Sequence, residues 1–249
     1  MTVNAKRIGL SIVSHGQGEL IRPLLQDLLA LHDLLAEVIV TINIPEDEAF
    51  VRDFIDRLPI RILRNRQPKG FGANHNGAFR TSTAGFFVVV NPDIRLDNIA
   101  LDDLVAVAAE PEVGVAAPIV YASDGQLQDS ARRFPTVRRL LQRKLSGANG
   151  PDYAIGSTPL SVDWVAGMFM VFRREVYARI GGFDERYFMY FEDVDICSRL
   201  HQDGLGVILV PQARVVHDAQ RASRRKFKHF VWHVSSACRF LLMGNIKPA

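Results

Sequence analysis

Cysteine is nearly absent from this chain of 249 residues, with Cys197 and Cys238 the only two. They lie far apart and form no paired motif, which excludes a disulfide framework and a cysteine-based metal site and fits a reducing compartment. Long hydrophobic runs are missing too. The run after Lys6 and Arg7, Ile8 to Val13, is too short for a signal-peptide core or a membrane span, so a cytoplasmic chain without a transmembrane helix is expected. Internal repeats and low-complexity segments are lacking. The first strand is followed only by the sparse turn Gly16-Gln17-Gly18, which gives little support to a nucleotidyltransferase with a basic, glycine-rich phosphate loop. Acids are absent after Asp218. Of the 30 Lys and Arg residues seven follow it, leaving 23 against all 27 acids, so the body stands near −4 and the tail at +7. A mildly acidic body argues against a nucleic-acid binder, and a basic tail argues for an anionic surface.

What is present reads as alternating strands and helices. Ile8–Ser14, Val38–Ile42, Ile60–Leu63 and Phe86–Val90 are strand-like. Between them Leu20, Leu24, Leu25, Leu28 and Leu29 repeat at helical spacing, and Pro45-Glu46-Asp47-Glu48 suits a helix start with acids in its first turn. Phe71–Thr83 reads as a helix entered through Gly70 and Gly72. This order predicts an α/β fold with a mostly parallel open sheet and helices on both faces, whose ligands bind at the carboxyl ends of the strands. Further on, Val113–Tyr121 reads as a strand, Pro135–Leu145 as a basic helix and Ser146–Thr158 as a loop. Val162–Phe172 reads as a strand or buried segment, Glu192–Gln202 as a helix and Val207–Val210 as the last strand. The division expected is a domain over 1–218 and a tail over 219–249.

Five segments could carry chemistry. Asn91-Pro92-Asp93 ends the fourth strand in the crevice; on its own it reads first as an Asx-Pro turn, although one carboxylate plus substrate phosphates is also a usual Mg²⁺ arrangement. Lys69-Gly70-Phe71-Gly72-Ala73-Asn74-His75-Asn76-Gly77 places glycines at a helix start, where bare N–H groups favour phosphate. Asn prefers helix caps, so Asn74 and Asn76 inside the helix suggest that one of them bonds a ligand or the strand-four loop. Trp164-Val165-Ala166-Gly167 offers an indole that can stack on a sugar, or simply a core Trp beside a tight turn. Gly181 to Asp195 sets five acids among Phe183, Tyr187, Phe188, Tyr190 and Phe191. Asp195 is explained by pairing with Arg199 four residues on. A helix-dipole role alone does not explain the adjacent Glu192 and Asp193 beside apolar rings, and Asp193 is the candidate general base. His217 follows strand-like Ala213–Val216 and could reach the same sheet edge as Asp93, where an imidazole suits Mn²⁺ better than Mg²⁺.

Taken together, Asn74-His75-Asn76-Gly77, Asn91-Pro92-Asp93-Ile94, Trp164-Val165-Ala166-Gly167, Gly181-Gly182-Phe183-Asp184-Glu185, Phe188 through Asp195 and His217 resemble the family-two inverting glycosyltransferases. Within these they are most similar to the bacterial rhamnosyltransferase-like group that builds cell-surface polysaccharide such as O-antigen. The resemblance spans roughly residues 8 to 218, and the acidic-aromatic run is its most specific part. It implies a GT-A fold and a nucleotide-sugar donor, dTDP-rhamnose by preference. It also implies a glycan or lipid-linked acceptor and a divalent cation, Mg²⁺ or Mn²⁺. Asn91-Pro92-Asp93 then resembles the metal-binding Asp-x-Asp signature, with Asp93 and His217 as metal ligands. Ser14, His15, Asn43, Gly72, Asn74, Asn91 and Asp93 would line the nucleotide-sugar site. Trp164, Gly167, Tyr190 and Glu192 would meet the acceptor, with the aromatics Tyr187 to Phe191 as a wall. Glu192 and Asp193 would be catalytic, and Lys69 or Arg95 would offset charge on the departing diphosphate. Many relatives carry Asp-Asn after the second strand; here Thr41-Ile42-Asn43 stands there, and Asn43 offers both a donor and an acceptor to a base edge. The alternative on the same fold is a carbohydrate or nucleotide binder without turnover.

In the tail, Phe227, Phe230, Val231, Val234, Cys238, Leu241 and Leu242 fall on one helical face, with Arg224, Arg225, Lys228 and Arg239 elsewhere on the wheel. Such a basic amphipathic helix fits the inner membrane surface, or packing on the body or on a second subunit of a homo-oligomer.

Overall fold

The computed structural model describes residues 7–96, 99–136, 138–139, 151–217 and 226–243. The basic helix expected over Pro135–Leu145 and the first part of the Ser146–Thr158 loop lie mostly outside them. Four strands, β1 (Ile8–Ser14), β2 (Leu35–Ile42), β3 (Ile60–Arg64) and β4 (Phe86–Val90), pair in parallel in the order β3-β2-β1-β4. The helices between them are α1 (Gly18–Leu28), α2 (Ala49–Arg52) and α3 (Phe71–Thr81). The second half adds β5 (Ile94–Arg95), α4 (Leu101–Ala109), β6 (Val113–Ala122), β7 (Ala131–Arg132), β8 (Leu160–Ser161), β9 (Trp164–Val165) and β10 (Phe169–Arg173). It ends with α5 (Arg174–Arg179), α6 (Glu192–Gln202), β11 (Gly206–His217) and α7 (Lys226–Met243). The sheet continues from β4 through β10, β6 and β11 to β5, while β7 and β9 form a separate ribbon.

The strands are apolar on both faces because helices cover both. Val88 and Val90 point into the layer with α1 and α4; Phe87 and Val89 point into the layer with α3, α5 and α6. Burying a side chain such as Phe87 contributes about 1.5–3 kcal/mol.

Three readings need correction. Val162–Phe172 is not one strand: it breaks at Ala166–Met168 into β9 and β10, and β10 runs antiparallel between β4 and β6. That reversal brings Gly167 back to the carboxyl end of β4. The last strand does not stop at Val210 but runs on to His217, after an irregularity between Val210 and Arg214. Finally, Glu46, Asp47 and Glu48 precede α2 rather than sit in its first turn. Glu46 instead accepts from the backbone N–H groups of Gly16 (3.2 Å) and Gly18 (3.1 Å), capping α1. The glycine turn after β1 is thus filled by a carboxylate of the chain itself.

Candidate active site

Three polar clusters line the carboxyl ends of the strands. The first ties the loops after β1, β2 and β3 together. Asn43, buried at the end of β2, accepts from the N–H of Lys69 (2.8 Å) and from the Asn65 amide (2.9 Å). Its own amide donates to the Lys69 carbonyl (3.0 Å) and lies 3.0 Å from His15 Nδ1. Asn74 accepts from Asn65 (2.6 Å) and donates to the carbonyls of Lys69 (3.1 Å) and Gly70 (2.9 Å). Both amides fix the Lys69-Gly70 loop. Ser14 is fully buried and accepts from the N–H of Gln17. Gly72 serves packing: a Cβ there would lie 2.5 Å from the Cβ of Phe183. Asn76 is held by the 181–185 turn: it accepts from Tyr177 (2.7 Å) and from the N–H of Phe183 (3.0 Å) and donates to the Phe183 carbonyl (2.8 Å) and to Glu185 (3.1 Å). Gly182, at φ +67°, lies against this amide, and a side chain there would collide with it. That explains the Gly-Gly-Phe motif as a structural staple.

The second cluster forms where β11 passes β5, with His217 in register with Ile94. His217 Nε2 lies 3.2 Å from Asp93 Oδ2, and its Nδ1 lies 2.9 Å from Gln128 Oε1. A proton on Nδ1, accepted by Gln128 Oε1, would leave Nε2 available to a metal beside the carboxylate. Asp93 Oδ1 is buried without a hydrogen-bond partner. A buried carboxylate oxygen without a partner beside an oriented imidazole fits a divalent cation that takes its other ligands from phosphate and water. Arg95, expected near the departing diphosphate, makes a two-pronged bond to Asp27 (2.8 and 2.9 Å).

The third cluster holds the acids. Asp193 accepts from the N–H of Gly167 (3.1 Å) and of Val194 (2.9 Å). Gly167 belongs to the segment that reaches β4, since Asn91 N–H donates to the Met168 carbonyl (2.9 Å). A continuous backbone path thus links Asp193 to Asn91 and Asp93. Burial pushes Asp193 above the usual carboxylate range, opposed by those N–H bonds and by the positive charge of Arg132. Burial and the charge of Asp193 push Glu192 up to about 8. Glu192 Oε2 is buried and unpartnered. Immediately before the pair, Tyr190 (φ 71°) and Phe191 (φ 67°) both sit in the left-handed region, which costs of order 1 kcal/mol or more for each such residue. Asp195 pairs with Arg199 at 2.8 Å, as its spacing implies, and Arg199 donates to the carbonyls of Ile180 (2.6 Å) and Gly182 (2.8 Å).

The remaining expected acceptor residues are placed differently. Trp164 is half-buried, paired with Arg132 in the ribbon, and its indole donates to the Arg133 carbonyl (3.1 Å). Tyr190 does not line an open wall. Its hydroxyl lies 2.8 Å from His229 Nδ1 on α7, and Phe188 and Phe191 pack on Trp232 and on His233 and Phe240.

The sequence and the fold both match known proteins. The model of the glycosyltransferase-like family 2 matches residues 6–234. The chain belongs to glycosyltransferase family 2. Rhamnosyltransferase WbbL of Escherichia coli is 30% identical over 248 residues, covering 94% of this chain and 92% of that protein. The N-acetylglucosaminyl-diphospho-decaprenol L-rhamnosyltransferase of Mycobacterium tuberculosis is 32% identical over 165 residues, 62% of this chain and 54% of that protein. Among solved structures, GalNAc-T7 with UDP, GalNAc and Mn²⁺ aligns with a TM-score of 0.67 at 16% identity, over 87% of this chain and 44% of that one. The Pyrobaculum calidifontis mannosyltransferase with GDP-Man and Mn²⁺ aligns at 0.64 and 20%, over 94% of this chain and 64% of that one. The fold of this family 2 glycosyltransferase is therefore GT-A, with the C-terminal helix α7 added.

Sequence reasoning missed Gln128, Asn65 and Arg132. None lies in a motif or a periodic pattern; Gln128 reaches the site because its segment folds back on β6, which pairs with β11, and Arg132 through the pairing of β7 with β9.

Proposed function

We propose that this glycosyltransferase moves a sugar, rhamnose from dTDP-rhamnose, to a hydroxyl of a lipid-diphosphate-linked glycan in surface-polysaccharide synthesis, with inversion at the anomeric carbon. The observation that carries the reading is the Glu192–Asp193 pair. Burial and the charge of Asp193 raise the proton affinity of Glu192, while two N–H groups favour the ionised form of Asp193. A carboxylate whose affinity for protons is raised by burial is a better base for an alcohol. The acceptor hydroxyl passes its proton to Asp193 as its oxygen bonds to the anomeric carbon, and the bond to the diphosphate breaks on the opposite side. Asp93 and His217 would hold a divalent cation, which when bound offsets negative charge on the diphosphate. The WbbL likeness supports rhamnose, the name of the mycobacterial relative supports a lipid-diphosphate acceptor, and the nucleotides and Mn²⁺ of the solved neighbours support the donor class and the cation.

The test is transfer from dTDP-rhamnose to a lipid-diphosphate N-acetylglucosamine acceptor with Mn²⁺, with and without chelator. Turnover that the chelator abolishes is expected. Nucleotide-sugar binding without transfer or hydrolysis across a panel of donors would instead favour a binding module.

A further inference from the structure

We propose that α7 docks in the plane of an anionic lipid surface through the face it turns away from the protein. Helices of globular proteins bury their most apolar stripe. This one does the reverse. Its body-facing side carries Phe240, 1% exposed, together with Ser236, whose hydroxyl donates to the Met189 carbonyl (3.0 Å), and His229 against Tyr190. The outward side carries Phe230 (65% exposed), Val231 (47%), Val234 (42%) and Leu242 (85%). With exposed Cys238, positions 230, 234, 238 and 242 recur every fourth residue and form one stripe. Among the described residues, the only other exposed large apolar side chains are Ile55 and Leu127.

Charge decides what covers the stripe. The sequence after Asp218 has no acid and seven cations, with Arg221, Arg224, Arg225, Lys226 and Lys228 clustered just before or at the start of the helix. Two such tails would repel each other in a dimer built on this face, and Ile55 and Leu127 do not make a complementary patch on a second copy. An anionic lipid surface satisfies both the stripe and the cations. No helix among the described residues is long and apolar enough to cross a membrane, so the helix lies on the surface. Its inner face grips Tyr190 and Phe191, next in sequence to Glu192. Docking would therefore hold the acids at membrane level, a consequence that rests on the lipid-linked acceptor proposed above, whereas docking itself does not.

The test is flotation of the full chain with vesicles of phosphatidylcholine alone, and with about one-third phosphatidylglycerol added. Binding to the anionic vesicles only, weakened by salt, is expected. The double variant F230S/L242S should keep its Tm and its transfer to a soluble acceptor but lose roughly tenfold or more in partitioning. No binding by the parent chain, or equal binding by F230S/L242S, would overturn the proposal. So would a dimer that the double variant dissociates while vesicle binding is unchanged. Because no donor sugar is needed, failure here is separable from failure of the transfer reaction.

Discussion

The loop cluster around Asn43 and the turn around Glu192 are both polar, both buried and both near the carboxyl ends of the strands, yet they are satisfied in opposite ways. In the first, the amides of Asn43 and Asn74 are engaged by Asn65 and the Lys69-Gly70 backbone. In the second, two consecutive non-glycine residues are left-handed and Glu192 keeps a buried oxygen without a partner, as does Asp93 nearby. A buried group whose hydrogen bonds are complete is a scaffold, and one held incomplete or strained is where a ligand is met. The contrast separates residues that look alike as letters: asparagines suited to binding a nucleotide turn out to hold loops, while the acids keep unused capacity.

The contrast can be broken most severely at Asp193. Asp193→Asn removes the base and should lower kcat by about 10²–10⁴, with nucleotide binding measured by calorimetry unchanged. On the scaffold side, Asn43→Ala strands the Lys69 N–H and carbonyl and the Asn65 amide. It should cost about 3 kcal/mol, or roughly 6–12 °C in Tm by calorimetric scanning. Gln128→Leu tests positioning: Mn²⁺ affinity, titrated with a nucleoside diphosphate present, should fall about 10–100-fold, while Gln128→Glu, which still accepts from the imidazole, should recover most of it.

The smallest effect concerns Glu192. Its proton affinity in the folded protein is raised from the ordinary carboxyl value to about 8, so between those limits the folded state binds more protons than the unfolded one. Its contribution to stability is therefore present below the ordinary value and is lost as pH rises through about 8. His75 runs the other way: buried against Ser11 Oγ at 2.8 Å and lowered to about 3, it makes stability fall as pH drops from its ordinary value toward 3. Glu192→Gln should abolish the alkaline loss only, raising Tm at pH 8 by about 2–4 °C for each kcal/mol relieved, and leave the acid limb intact.

Much of the fold was legible because apolar strands and leucine spacing report burial directly. Phe86–Val90 and Glu192–Gln202 were read with their observed bounds. The reversal of β10 was not legible, since from Trp164 to Phe172 only Gly167 interrupts an otherwise continuous apolar run. The acids stood out because charge among rings is costly, and the register of β11 with β5 brings His217 to Asp93. What could not be read was how hydrogen bonds are shared: whether Asn43 faces a base or a loop depends on Lys69, 26 residues away. The same limit applied to α7, whose apolar stripe was plain in the sequence but whose body-facing side is built from histidine, serine and aromatic residues.

The most direct measurement is the rise in Tm caused by a nucleotide-sugar with Mn²⁺ in the parent chain, in Asp93→Asn and in Asp193→Asn. The expected result is a clear rise in the parent and in Asp193→Asn, and none in Asp93→Asn. A rise of equal size in Asp93→Asn would contradict the assignment of donor and cation to the incompletely satisfied cluster.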